Sequence, residues 1–137
     1  MKILDTNIII RFFINDVPES HKIAYDIITA ENVFVASEVI AEVIYILTKY
    51  YEIDRKQTGE KLARFMELDN VSVENLSVVR KSIELFVQTS LDYVDCLLCA
   101  YHTECGYEVC TFDKKLKKLI ERVDSSARVS GGDQYGI

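Results

Sequence analysis

The sequence predicts an α/β domain built on a parallel sheet that helices cover on both faces. Short, continuous apolar runs alternate with longer helical patterns along the whole chain, and this alternation is typical of parallel sheets. The chain has 137 residues, of which 49% are hydrophobic, and a single proline. That length and composition suit one folded domain with one core, residues 1–137. We find no internal repeat, linker or low-complexity segment.

Five short runs predict strands because they are apolar and rich in β-branched or aromatic residues. In chain order they are 2–4, "VFVA" at 33–36, "VSV" at 71–73, "YEVCTF" at 107–112 and "ARV" at 127–129. The runs are short and lack strict alternation of apolar and polar residues, so they resemble buried strands of a parallel sheet. The tail that begins with "SGGDQ" has no such pattern, and we expect it to be loose.

The helical patterns lie between these runs. They cover 18–31, 37–51, 55–68, 77–90, 91–105 and 113–123. Pro18 suits the first turn of its helix, and Ser37 and Asp113 are expected N-caps. The pattern over 37–51 is too apolar to be exposed on all sides. The helix over 55–68 is weaker because Gly59 lies inside it.

The charge and hydropathy of the chain limit the classes of function that it can have. The net charge is −6, so the chain as a whole is a poor electrostatic match for nucleic acid. The densest positive patch is "KKLKKL" at 114–119, which also suits a solvated helix face. No apolar run approaches the about 18 residues of a membrane span. The first residues lack the basic leader and cleavage site of a signal peptide, so we expect a cytoplasmic protein without membrane association.

Four cysteines lie close together, at Cys96, Cys99, Cys105 and Cys110. The Cys-x-x-Cys spacing is compatible with a zinc or redox pair, but no second pair follows at the spacing of a zinc ribbon. Cysteine is also among the residues most often buried as a small apolar group. Reduced, packed cysteines are therefore the favoured interpretation.

Four acidic residues stand out in apolar surroundings. Asp5 and Asp113 directly follow predicted strands, whereas Glu42 and Asp95 are the single charges of the runs "VIAEVIYIL" and "YVDCLLCAY", which lie in helices that we expect to be largely buried. The carboxyl ends of parallel strands share one edge of a sheet, where ligands bind. Because a buried carboxylate is costly unless it is paired or bound to a cation, the four acids together favour a metal site. Oxygen ligands suit Mg²⁺ or Mn²⁺ better than zinc.

Each acid also has a structural interpretation. Asp5 and Asp113 suit helix caps, and capping does not exclude metal binding. Glu42 and Asp95 also suit ion pairs with cations from other elements. Asp92 lies three residues before Asp95 on the same helix face. It is either an accessory acid of the site or a first-turn acid of the helix.

Other chemistry is less well supported. The chain has neither a G-x-x-x-x-G-K-[ST] loop nor a G-x-G-x-x-G motif, so the common nucleotide cradles are absent. A G-x-S-x-G elbow is absent as well. His102 lies seven residues after Asp95 in the same predicted helix. A partly buried, hydrogen-bonded histidine is favoured over a catalytic one.

The segments "ILDTNIII", "SEVIAEVIYIL", "LDYVDCLLCA" and "VCTFDKKL" occur in this order, and together they resemble the PIN-domain family of metal-dependent ribonucleases. The likeness is strongest to the small toxin members of prokaryotic toxin–antitoxin modules, and it spans about residues 2–129. The ordered set is specific, although no single motif is. The resemblance implies three α/β/α layers with a parallel sheet of four or five strands.

The resemblance also implies the site. The family's acidic positions fall on Asp5, Glu42, Asp95 and Asp113. The polar neighbours that match are Thr6, Asn7 and Thr111, of which Thr6 or Thr111 would orient a carboxylate or a water. One departure is Cys96, where many members have alanine; cysteine is also small and packs similarly.

The implied reaction is hydrolysis of RNA phosphodiester bonds with one or two Mg²⁺ or Mn²⁺ ions. Because the acids repel RNA, basic groups must hold its phosphates; the candidates are Arg11, Lys114, Lys115 and Lys118. The family likeness further implies a homodimer and an antitoxin protein that holds the toxin inactive.

Two other functions remain open from the sequence. An Asp that ends a first strand also begins the haloacid-dehalogenase-like phosphatases, where it forms an aspartyl-phosphate. That family needs a second Asp two residues later, where this chain has Asn7. The second alternative is a catalytically silent domain that keeps the fold and binds RNA or protein.

Overall fold

The computed structural model describes the backbone of residues 1–134 and the side chains of residues 1–128. The chain divides into two compact units, Met1–Arg80 and Lys81–Ile137. In the described part of the chain, no helix is long and apolar enough to cross a membrane.

The first unit contains a parallel sheet and the helices that connect its strands. Its elements in order are β1 (Lys2–Ile3), α1 (Thr6–Phe13), α2 (Pro18–Ala30), β2 (Val33–Val35), α3 (Ser37–Tyr45), a π-helical turn (Ile46–Tyr50), α4 (Arg55–Met66) and β3 (Val71–Val73), followed by the start of α5 (Leu76–Gln88). The strand order is β1-β2-β3, and both pairs are parallel. Val33 of β2 is opposite Lys2 on one side and Val71 on the other.

Both connections between these strands move in the same direction across the sheet. Right-handed crossovers therefore put their helices on the same face, and α1 indeed contacts both α2 and α3. Phe65 of α4 joins this packing, with its ring centroid 5.9 Å from that of Phe12 and 5.7 Å from that of Phe13. The unit's core thus forms where the crossover helices meet, with buried Ile9, Ile40 and Leu62 among its side chains.

The second unit is helical. It contains the rest of α5, α6 (Tyr93–Cys105) and α7 (Lys114–Gln134). A buried 2.6 Å hydrogen bond between the Ser82 and Tyr93 hydroxyls joins α5 to α6. Burial raises the pKa of Tyr93 to about 12, so its hydroxyl stays protonated. The α6 helix ends at Gly106, whose φ of 73° is the left-handed conformation that glycine adopts most easily.

The predicted α/β class and the first three parallel strands are confirmed, but the described residues contain three strands rather than four or five. The predicted strand over 107–112 is wrong: this segment is irregular and has no strand partner in the described part of the chain. The predicted strand over 127–129 is also wrong, because it lies within α7. No glycine or proline interrupts the chain between Lys114 and Val129, so the helix continues.

Three helix predictions also need correction. Residues 6–13 are so apolar that their pattern does not predict a separate helix, yet α1 forms there. Ser37 is not the cap of α3: the N-cap is Ala36, and no side chain caps the helix. The pattern over 113–123 ends too early, since α7 runs to Gln134 and takes up the start of the expected loose tail. Residues 135–137 lie outside the described residues.

Candidate functional site

Asp5 lies at the carboxyl end of β1, one residue after buried Leu4. It is the N-cap of α1, and its Oδ1 accepts a 2.7 Å hydrogen bond from the backbone N–H of Thr6. The position is exposed. The structure therefore supports the capping interpretation. The second carboxylate oxygen, Oδ2, has no hydrogen-bond partner among the described residues.

Thr6 connects Asp5 to the second acid of this unit. Its hydroxyl donates a 2.7 Å hydrogen bond to Oε2 of Glu42 in α3, and Thr6 itself is only 5% exposed. The resemblance implied such a contact between a threonine and a carboxylate. We call Asp5, Thr6 and Glu42 the first acidic cluster. Glu42 is exposed, so the expectation of a buried carboxylate in this helix is wrong.

A second carboxylate contact at the same edge of the sheet was not foreseen. Both the backbone N–H and the hydroxyl of Ser37, after β2, donate to Oε1 of Glu74, after β3, at 3.1 and 2.8 Å. These bonds lower the pKa of Glu74. No sequence motif marks this pair, because the parallel strand order alone brings residues 37 and 74 together.

Asp113 is the N-cap of α7 in the second unit. Its Oδ1 accepts hydrogen bonds from the backbone N–H groups of Lys115 and Leu116, at 2.8 and 3.1 Å. The hydroxyl of Thr111 accepts a 3.0 Å bond from the N–H of Asp113. Thr111 therefore holds the backbone of the acid and not its carboxylate. The capping prediction for Asp113 is confirmed, and the residue is exposed.

Asp95 lies in the first turn of α6, and Asp92 is the N-cap residue of that helix. The pKa of Asp95 is raised, first by partial burial and then by the negative charges of Asp113 and Asp92. We call Asp92, Asp95 and Asp113 the second acidic cluster. A nearby cation would offset this repulsion and favour the charged form of Asp95.

The donor chemistry of both clusters fits a hard divalent cation. Asp5, Glu42 and Asp113 each use one carboxylate oxygen in a structural hydrogen bond, and the other has no hydrogen-bond partner in the described part of the chain. Structural roles therefore leave an oxygen ligand free on each acid, the type that Mg²⁺ and Mn²⁺ prefer. Over residues 1–128 we find no group of three or more His, Cys, Asp or Glu side chains placed to hold a metal ion.

Residues 2–121 match the family model described as the PIN domain. The chain belongs to the PIN domain family. A VapC ribonuclease of Aquifex aeolicus (strain VF5) is 27% identical over 124 residues, which cover 87% of this chain and 92% of that protein. No solved structure matches the chain. The resemblance found in the four motifs is thus confirmed, and it favours this family over the phosphatases.

The predicted basic residues of this PIN domain have different surroundings. Arg11 is paired with Asp16 at 2.6 Å. Lys115 and Lys118 line a cleft of about 460 Å³ in the second unit, whereas Lys114 is not among its lining residues. The cleft adds one cation that the sequence did not suggest, Arg122. It lies four residues after Lys118, outside the dense lysine run, although the helical period relates the two.

Asn7 is exposed near the start of α1. His102 is partly buried and hydrogen-bonded, as predicted, with Nδ1 2.7 Å from the Tyr107 carbonyl and Nε2 2.8 Å from Oδ1 of Asp124.

None of the four cysteines, all of which the structure describes, forms a disulfide. Cys96 and Cys99 are buried, which confirms the packing interpretation for this pair. Cys105 and Cys110 are exposed, so that interpretation is wrong for them. Cys105 is the last residue of α6, whereas Cys110 lies in the irregular segment that replaces the expected buried strand.

Proposed function

We propose that this PIN domain is a metal-dependent endoribonuclease that hydrolyses RNA phosphodiester bonds as the toxin of a toxin–antitoxin module. One observation carries the proposal: residues 2–121 match the PIN domain family, and the chain has an acid at each of the four positions that the family resemblance implies. The similarity to a protein named VapC ribonuclease supports the same activity. The match includes residues on both sides of Arg80, which supports treating residues 1–137 as a single domain.

We propose that Asp5, Glu42, Asp95 and Asp113 are ligands of Mg²⁺ or Mn²⁺, as the family resemblance implies. When bound, such an ion lowers the pKa of a coordinated water and offsets negative charge that develops on the phosphoryl group. The free oxygens of the capping acids and the raised pKa of Asp95 support this role. Thr6 would keep Glu42 in one orientation, and Asp92 would add negative charge near Asp95.

The remaining accessory residues would act through the same acids. Thr111 fixes the backbone of Asp113, and Asn7 follows Thr6 at the start of α1. Arg11, Lys114, Lys115 and Lys118 would bind phosphates that flank the scissile bond. We also propose a cytoplasmic homodimer whose activity a cognate antitoxin protein restrains.

The test is cleavage of varied single-stranded RNAs by purified protein with Mg²⁺, with Mn²⁺ and with chelator. We expect cleavage with either metal, none in chelator, and a large loss in Asp5→Asn and Asp95→Asn. Asp69→Asn is the matched control, because Asp69 is an exposed aspartate outside both acidic clusters. Its activity should equal that of the unchanged protein.

Two outcomes would contradict the proposal. Cleavage that persists in chelator, or in both Asn variants, would exclude metal–carboxylate catalysis. No cleavage of any RNA under all conditions would instead indicate the catalytically silent alternative. For the toxin role, expression should arrest growth, and expression of Asp5→Asn should not.

A further inference from the structure

The open cleft that contains Lys115 and Lys118 is lined by elements of the second unit alone. Its walls are α7 and the segment that joins α5 to α6. Its lining consists of Gln88, Thr89, Ser90, Leu91, Lys115, Lys118, Leu119 and Arg122. Three of these residues are cations and none is acidic, in a chain whose net charge is −6. The local charge of the cleft is therefore opposite to that of the chain.

The three cations lie on one face of α7, at helical spacings of three and four residues. None of them has an ion-pair partner among the described residues, whereas Arg11, Lys22 and Lys81 elsewhere in the chain each pair with an acid. Between Lys115 and Arg122 the helix rises about 10 Å. The row is therefore long enough to contact more than one phosphate group of an extended strand.

The opposite wall is held by local hydrogen bonds. The Thr89 hydroxyl donates to the Leu85 carbonyl at 2.8 Å and accepts from the N–H of Leu91 at 3.3 Å. These bonds fix the turn between α5 and α6. Gln88 and Ser90 are exposed on the same wall, and such side chains commonly donate hydrogen bonds to phosphate oxygens.

A hydrogen bond also connects the helix that lines the cleft to the second acidic cluster. Asp113 caps α7 through the backbone N–H of Lys115, so the first cation of the row lies two residues after this acid. An acidic site repels a polyanion, and cations close to it in the sequence offset that repulsion. A guanidinium such as that of Arg122 is suited to two-point contact with a phosphate.

We propose that this cleft is the phosphate-binding subsite that holds the backbone of single-stranded RNA through Lys115, Lys118 and Arg122. The proposal rests on the proposed function for the identity of the ligand. It differs from the sequence prediction in three residues, since it adds Arg122 and includes neither Arg11 nor Lys114. An acidic protein segment could also bind these three cations, and the experiment distinguishes that ligand from RNA.

The experiment measures equilibrium binding of a labelled single-stranded RNA to the full chain in chelator, with a gel to show that the RNA stays intact. The pocket variant is Lys118→Gln with Arg122→Gln. The matched control is Lys117→Gln with Arg128→Gln, which removes one lysine and one arginine from the same helix but outside the cleft. We expect the pocket variant to lose about 10-fold in affinity at low salt and the control to change less than about 2-fold.

The salt dependence gives a second readout. Loss of two phosphate contacts should reduce the slope of log affinity against log salt by about 1.4, because each contact to a single strand contributes about 0.7. The charge-retaining variant Lys118→Arg with Arg122→Lys should keep most of the binding and the slope. A merely structural role for these side chains would not predict this rescue.

Three outcomes would overturn the proposal: no loss of RNA binding in the pocket variant, equal losses in the pocket variant and the control, or a pocket variant that loses binding to a polyglutamate peptide while its RNA binding is unchanged. The last would assign the cleft to an acidic protein partner. Failure of the proposed function is distinguishable, because binding is measured without metal. A protein that shows cleft-dependent RNA binding but no cleavage with any metal would contradict the nuclease and support the subsite.

Discussion

The hydroxyl of Thr6 donates a 2.7 Å hydrogen bond to the carboxylate of Glu42, which lies 36 residues later in the chain. Thr6 is buried while Glu42 is exposed, so a fixed side chain at the start of α1 holds a carboxylate that otherwise moves freely in water. Since Asp5 accepts from the N–H of the same Thr6, one residue orients both acids of the first acidic cluster.

Substitution of Thr6 by Val should release Glu42. We expect a loss of about 10-fold or more in metal affinity or RNA cleavage, which is the usual effect of removing a group that orients a metal ligand. The lost hydrogen bond should lower the free energy of unfolding by about 1 kcal/mol. Cleavage assays and urea unfolding measure the two effects.

Thr6→Ser is the control for this change because it keeps the hydroxyl and loses only a methyl group. It should retain most of the activity. Full activity in Thr6→Val, or a larger loss in Thr6→Ser than in Thr6→Val, would show that the hydrogen bond is not what orients Glu42.

Asp95→Asn should stabilise the metal-free protein while it removes activity. Partial burial, and after it the negative charges of Asp113 and Asp92, raise the pKa of Asp95, and the substitution removes the charge that is buried and repelled. Relief of a like-charge pair at helical spacing is worth about 0.2–0.5 kcal/mol. Thermal melting in chelator measures this gain, and Asp69→Asn should show none. A lower melting temperature for Asp95→Asn would contradict a repulsive cluster.

The pair of His102 and Asp124 should make stability depend on pH. The hydrogen bond to Asp124, together with the Tyr107 carbonyl, raises the pKa of His102 above its ordinary value of about 6.5. Protonated His102 donates from both ring nitrogens, whereas the neutral ring donates from one. Its stabilising contribution is therefore complete below about pH 6.5 and is lost as pH rises through the raised pKa.

Melting temperatures measured between about pH 5 and pH 9 check this prediction. The difference between the unchanged protein and Asp124→Asn should be largest at the acid end and shrink toward the alkaline end. Asp69→Asn serves as the control for removal of an exposed aspartate. A difference that stays constant with pH, or grows as pH rises, would show that the ion pair is not the cause.

Gly106→Ala should destabilise the protein by conformation alone. Gly106 has φ of 73°, and a Cβ added there meets no atom within 4 Å. A left-handed alanine costs about 1 kcal/mol, measured as a loss in the free energy of unfolding. Gly106→Asn should cost less, because asparagine tolerates this conformation better. Equal losses in the two variants would point to a cause other than φ.

The sequence determined the family, the α/β class, the first three parallel strands and the capping role of Asp113, and it offered capping as one interpretation of Asp5. These features depend on neighbours along the chain: a short apolar run, the acid that follows it, and the helix that the acid begins. The order of the motifs also identified the candidate acids before any distance between them was known. The prediction that these acids share one metal site stays a prediction.

Only the tertiary structure decided the features that depend on distant partners. The run over 107–112 has strand-like residues, but a strand also needs a neighbouring strand, and the described residues provide none. The contacts of Thr6 with Glu42 and of Ser37 with Glu74 join positions about 36 residues apart, which no local pattern encodes. Exposure of Glu42 likewise depends on which helix faces are covered. Arg122 joins Lys115 and Lys118 at one cleft because the turn after α5 lies opposite that face of α7.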